Sequence, residues 1–150
     1  MNSINLLLVD DEEQFLSTAK RLMEKRGVST FVCTNGFDAI RILKERRIDV
    51  VLLDLKMPGI NGVEVLRKIK QNHPDIEVIL LTGHASVESA VEGLKLGAFD
   101  YLMKPSTIPD ILDKVRDAYE RKVAKEEKAR KSKVENIIRH PMAVFDKEEE

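Results

Sequence analysis

This chain of 150 residues has no tryptophan, and aromatic residues make up only 5% of it. Stacking platforms for bases or rings are therefore scarce. Cys33 is the only cysteine, which rules out an internal disulfide and a multi-thiolate zinc site. Its neighbours Phe31 and Val32 suggest a buried thiol in a strand. The three histidines, His73, His84 and His140, lie far apart in unrelated contexts, so a histidine metal site is not expected. No apolar run approaches the length of a membrane span. The first residues, Met1-Asn2-Ser3-Ile4-Asn5, enter a strand directly and show no leader pattern, so the expected location is the cytoplasm. Twenty-five basic and 26 acidic side chains leave a net charge of -1. That balance argues against a nucleic-acid surface spread over the whole domain.

What is present is a strict alternation of strand and helix. The most telling stretch runs from Val50 to Gly62. Four apolar residues, Val50-Val51-Leu52-Leu53, lead straight into Asp54, and Pro58-Gly59 and Asn61-Gly62 signal sharp turns just beyond. A continuous apolar run of this kind reads as a strand buried on both faces. Similar runs occur at Ile4–Val9, Ile76–Leu81 and Ala98–Met103, with a more alternating one near an edge at Val28–Cys33 that is followed by a turn at Asn35-Gly36. Amphipathic helical spacing follows each strand: Phe15, Leu16, Ala19, Leu22 and Met23 first, and Ile108, Ile111, Leu112, Val115 and Ala118 last. Gly27 and Gly97 read as helix stops. Ser86 reads as the cap of the fourth helix, and Ser106 or Thr107 as that of the fifth. Five β-α units at this spacing predict a parallel sheet with helices on both faces, and right-handed crossovers place every strand's C-terminal end on one rim.

Five polar side chains collect on that rim: Asp10 and Asp11 after the first strand, Asp54 after the third, Thr82 after the fourth and Lys104 after the fifth. Singly, each has a plain explanation as a helix-starting acid, a strand end, a cap or a loop lysine. Together they suit phosphoryl transfer. Clustered carboxylates repel one another unless a cation joins them. An all-oxygen donor set open to water suits Mg²⁺ better than zinc. Asp54 can then serve as a carboxylate nucleophile that forms an acyl phosphate. Lys104 can pair with the transferred phosphoryl oxygens, and the Thr82 hydroxyl can donate to them.

The acidic pair Asp10-Asp11, the run from Asp54 through Met57-Pro58-Gly59 to Gly62, Thr82-Gly83, and Tyr101-Leu102-Met103-Lys104-Pro105 together resemble a response-regulator receiver domain of two-component signalling. The resemblance covers about residues 3 to 120. It implies a flavodoxin-like doubly wound (βα)5 fold with strand order 2-1-3-4-5. It also implies that Asp54 takes its phosphoryl group from a phospho-histidine of a sensor histidine kinase or phosphotransfer protein. By the same likeness, Asp11, Asp54 and the Lys56 backbone carbonyl hold Mg²⁺, with Asp10 helping partly through water, and the Lys104-Pro105 peptide is cis. Phosphorylation is expected to draw in Thr82 and to let Tyr101 rotate inward, which changes the surface of the fourth helix, fifth strand and fifth helix. The plain alternative for Tyr101 is an ordinary strand aromatic. Lys56 and His84 occupy positions that tune acyl-phosphate lifetime in such domains, although His84 reads as a partly exposed loop histidine rather than a catalytic one.

Residues 121–150 lie beyond the receiver. Arg121 to Arg139 holds eight basic and three acidic residues and is expected to prolong the fifth helix. The plain reading is a solvated charged helix that frays into a disordered acidic end. The sharper one is a helix that pairs with a second copy or docks on a partner. A homodimer through the fourth helix, fifth strand and fifth helix is a further option. Nucleic acid is not an expected ligand of this segment, which is short and lacks interleaved aromatics. The final Asp146-Lys147-Glu148-Glu149-Glu150 reads as a natural terminus, which favours a free-standing signalling module. The wording around Leu81–Ala90 and Leu96–Leu102 also resembles receivers attached to DNA-binding transcriptional activators, so the receiver portion of a longer activator is the alternative. A phosphohydrolase with an aspartate nucleophile would need an acid/base aspartate where Lys56 stands. A flavin carrier of the same fold would need a phosphate cradle where Asp10-Asp11-Glu12 stands. The chain therefore reads as a phospho-accepting module that assists only its own phosphotransfer and dephosphorylation, not as an enzyme.

Overall fold

The computed structural model describes residues 3–83 and 86–139. His84, His140 and the acidic end lie outside that range. Strands β1 (Asn5–Val9), β2 (Ser29–Cys33), β3 (Val50–Asp54), β4 (Glu77–Thr82) and β5 (Asp100–Met103) form one parallel sheet in the order β2-β1-β3-β4-β5. Helices α1 (Glu13–Lys25), α2 (Gly36–Glu45), α3 (Gly62–Asn72), α4 (Val87–Lys95) and α5 (Ile108–Arg139) connect or follow them. This is the doubly wound architecture expected from the alternation, with the alternating β2 at an edge.

Side chains point to opposite faces along a strand, and helices cover both faces here. Leu6, Leu8, Val50, Leu52, Ile79 and Leu81 pack on one side with Leu16, Ala19 and Met23 of α1 and Ile111, Leu112 and Val115 of α5. Leu7, Val9, Val51, Leu53, Val78 and Leu80 pack on the other with residues of α2, α3 and α4. Every interior position of the central strands is therefore apolar, and each fully buried Leu or Val contributes roughly 1.5–3 kcal/mol. Polar side chains are left to the strand ends.

The helix starts correct part of the sequence reading. Both Asn-Gly pairs, expected as turns, begin helices instead. Asn35 Oδ1 accepts from the Asp38 amide at 2.9 Å, and Asn61 Oδ1 accepts from the Val63 amide at 2.8 Å. The glycine after Asn61 is there for packing: a Cβ on Gly62 would lie 2.7 Å from the Leu55 Cα and 3.0 Å from the Asp54 carbonyl oxygen. Ser86 makes no capping bond, because its backbone (φ -115°, ψ 16°) is already turning with the helix rather than extended. Of the two candidates for α5, Thr107 is the cap and accepts from the Asp110 amide at 3.2 Å, while Ser106 donates to the Met103 carbonyl.

Helix α5 has 32 residues and runs well past the sheet. Its first turn beyond the core, read as solvated, is in fact docked. Lys122 is 7% exposed and its Nζ lies 3.3 Å from Asp49 Oδ1. Glu77, almost wholly buried at the start of β4, meets Lys70 at 3.4 Å, Lys125 at 3.6 Å and the Arg121 guanidinium. Burial alone would raise the Glu77 carboxyl, but Arg121, Lys70 and Lys125 outweigh it and hold the pKa below its ordinary value. Arg121 also stacks over the Phe99 ring at 4.8 Å. Among the described residues, no helix is long and apolar enough to cross a membrane. We expect Lys122→Ala to lower unfolding free energy in urea by about 3 kcal/mol, because it leaves Asp49 buried without its cation. Lys128→Ala, on the exposed helix beyond, should change it by less than about 0.5 kcal/mol.

Candidate functional site

The register of the sheet assembles the site. Leu8 pairs with Leu52 and Val9 with Leu53, so the next rung sets Asp10 beside Asp54. On the far side of β3, Thr82 ends β4 opposite Met103 of β5, and the Lys104 amide donates to the Thr82 carbonyl at 2.7 Å. Parallel strands bring all these ends to one rim.

Asp10 and Asp54 are only 1% and 3% exposed. The half-buried Lys104 reaches between them: its Nζ lies 3.1 Å from Asp10 Oδ2, 3.3 Å from Asp54 Oδ2 and 3.6 Å from Glu12 Oε1. Backbone amides hold the other oxygens. Lys56 N donates to Asp54 Oδ1 at 3.1 Å, and Glu12 N donates to Asp10 Oδ1 at 2.9 Å. Burial raises the pKa of both carboxyls, and the Asp10 charge adds to the rise at Asp54; the amides and Lys104 offset this only in part. Burial pulls the Lys104 ammonium down, but Asp10 and Asp54 outweigh it and hold its pKa above the usual lysine value.

One cation therefore serves more negative charge than it balances. Carboxylate oxygens of Asp10, Asp11 and Asp54 lie within 4.8 Å of one another, with Asp11 exposed to solvent. Asp10 Oδ2 is fully enclosed, and no hydrogen-bond donor among the described residues is aligned with it, although the Lys104 ammonium is near. An enclosed carboxylate oxygen without an aligned donor, in a cluster of three hard oxygen donors, fits a small divalent cation such as Mg²⁺.

The remaining expected residues differ in how near they stand to this cluster. The Thr82 hydroxyl is buried and donates to the Gly83 carbonyl at 3.1 Å. Tyr101 is 42% exposed and lies away from the carboxylates, on the outer strand. The Lys104-Pro105 peptide is cis. The Lys56 side chain is exposed and lines an open cleft of about 420 Å³ with Asp11, Glu12, Asp54, Gly83, Ser86 and Lys104. An apolar cleft of about 370 Å³ opens beside Lys104, lined by Phe15, Leu81, Pro105 and Ile111 among others. Glu12 and Ser86 were not foreseen as site residues. Glu12 could have been found as the next acid in the run after β1, whereas Ser86 carried only the signal of a cap.

A family model described as "Response regulator receiver domain" matches residues 6–116. Sporulation initiation phosphotransferase F of Bacillus subtilis is 34% identical over 116 residues, which span 77% of this chain and 94% of that protein. Regulatory protein AtoC of Escherichia coli is 39% identical over 115 residues, and transcriptional regulatory protein ZraR of Klebsiella oxytoca 37% over 102. The chain spans only 24% and 23% of those two regulators. Among solved structures, a receiver domain protein from Clostridium thermocellum superposes with a TM-score of 0.77 at 37% identity, covering 81% of this chain and 98% of that one. NtrX from Brucella abortus gives 0.80 at 26% identity, covering 85% of this chain and 30% of that one.

A carboxyl whose pKa rises on folding opposes folding once it is ionised. The deficit is absent below the ordinary carboxylate pKa, grows as pH climbs towards the raised value, and is complete once pH stands above it. Removing that charge should therefore stabilise the metal-free chain. We expect Asp54→Asn to raise its melting temperature at pH 7 by about 2–4 °C, equivalent to roughly 1 kcal/mol. Calorimetry in the presence of a chelator should show the gain fading as pH falls into the carboxylate range.

Proposed function

Because the chain belongs to the response-regulator receiver family, whose members are signalling modules, we propose that it is a phosphorylation switch with Asp54 as the acceptor. The observation that carries this is the Asp54 carboxylate, buried at a strand end beside Asp10 and within 3.3 Å of the Lys104 ammonium. The donor is a phospho-histidine of a sensor histidine kinase or phosphotransfer protein. An Asp54 oxygen bonds to phosphorus as the bond from phosphorus to the imidazole nitrogen breaks, and the leaving imidazole takes up a proton. Asp10, Asp11, Asp54 and the Lys56 carbonyl hold Mg²⁺, which when bound neutralises the carboxylates and stabilises charge on the transferring group. Lys104 is placed to pair with a phosphoryl oxygen. The apolar cleft beside Lys104 offers contact surface for the donor protein.

The switch begins at Thr82. Its hydroxyl, now given to the Gly83 carbonyl, turns to donate to a phosphoryl oxygen, and Tyr101 leaves its exposed position for the space behind. The altered surface is that of α4, β5 and α5. Lys56 sits at the mouth of the cleft, where its side chain governs access of the water that cleaves the acyl phosphate; the same role for His84 concerns a residue outside the described ones. The chain assists only its own phosphotransfer and dephosphorylation. The high coverage of the Bacillus subtilis phosphotransferase supports a place in a phosphorelay. The similarity to AtoC and ZraR favours a second reading, in which this receiver governs a transcriptional regulator's output.

Incubation with Mg²⁺ and acetyl phosphate should yield a hydroxylamine-labile adduct on the wild type and none on Asp54→Asn. A complete lack of adduct on the wild type would sink the proposal. Thr82→Ala should still accept phosphate, but the amide shifts of residues 100–103 that accompany phosphorylation in the wild type should be lost from its NMR spectrum.

A further inference from the structure

Beyond Lys122, α5 leaves the body, and one side of it carries apolar residues that nothing among the described residues covers. Val123, Val134, Ile137 and Ile138 are 43%, 42%, 39% and 73% exposed. Tyr119, partly buried at the edge of the core, begins the same side. Tyr119, Val123, Glu127, Arg130, Val134 and Ile137–Ile138 follow one another at steps of three and four residues, the spacing of a helix-pairing seam.

The two charges inside the seam decide what can cover it. A parallel pair of copies would stack Glu127 on Glu127 and Arg130 on Arg130. An antiparallel pair about a twofold axis between Lys128 and Ala129 meets none of that repulsion. There Tyr119 falls opposite Ile138 of the second copy, Val123 opposite Val134, and Glu127 opposite Arg130. On the flank, Glu126 falls near Lys133 of the second copy. A twofold interface requires this mirror order, in which residue i meets j while j meets i; a foreign partner would impose no such order. A lipid surface fits poorly, because Glu127 and Arg130 sit in the middle of the apolar side. The seam is about 30 Å long. We propose that residues 119–138 of α5 pair with the same residues of a second copy of this chain, antiparallel, with paired apolar rungs at both ends and crossed Glu127–Arg130 pairs at the centre. The proposal does not depend on the phosphorylation reading.

The pairing is tested on the full chain by sedimentation velocity from micromolar to millimolar concentration. Glu127→Arg places its arginine against Arg130 of the second copy, and Arg130→Glu places its glutamate against Glu127. Each alone should weaken self-association by about tenfold or more, and an equimolar mixture of the two should recover it. Glu127 and Arg130 also pair within one helix, at 2.5 and 3.3 Å, but mixing chains cannot repair that contact. Orientation is read by oxidative cross-linking in a Cys33→Ala background. Val123→Cys chains should cross-link to Val134→Cys chains and not to themselves. A wild type that stays monomeric throughout, single reversals that associate as well as wild type, or preferential Val123→Cys self-cross-linking would each overturn the proposal.

Discussion

The Lys104 ammonium holds the rim together. It stands within 3.1–3.3 Å of two carboxylates that the sheet register forces side by side. Without it, Asp10 and Asp54 would face each other buried and both ionised, an arrangement that raises pKa values sharply. With it, the cluster is tolerated but not neutral. The carboxyl pKa values remain raised and one Asp10 oxygen stays without an aligned donor. The site thus carries a deficit of positive charge that a divalent ion can make good, and the same lysine is already in place for a group added to Asp54. Local instability here is the condition for chemistry, as is common where pKa values are perturbed.

The opposite end of the sheet shows the contrary design. Glu77 and Asp49, at the starts of β4 and β3, are as deeply buried as the rim carboxylates but meet Lys70, Arg121, Lys125 and Lys122. Cations there outnumber the two buried carboxylates, and the Glu77 pKa falls rather than rises. One end of the sheet is poised to bind and change. The other anchors a long helix.

The contrast also explains what could be read in advance. Residues such as Val51-Leu52-Leu53 announce a strand covered on both faces, and parallel topology then gathers Asp10, Asp54, Thr82 and Lys104 without further information. The flavodoxin-like strand order followed from the family resemblance. Lys122 was illegible because it sits among lysines and glutamates that read as solvated. Its burial depends on Asp49, far away in sequence, which only the packing of α5 across the sheet brings near. Asn35 and Asn61 misled for a local reason: Asn-Gly signals a turn, yet the same asparagine oxygen can cap a helix when the following glycine fits under a neighbour. Gly62 does so against the Leu55 backbone.

The unbroken course of α5 gives the molecule mechanical gain. The helix is clamped where Arg121, Lys122 and Lys125 meet Glu77 and Asp49, and about 21 Å of helix projects beyond that clamp. A tilt of only about 5° at the fulcrum would carry the tip by roughly 2 Å. Displacements too small to remodel the core are thus delivered at Ile137 and Ile138 as movements comparable to a side-chain contact. The length of the rod sets how far a small angular change is multiplied.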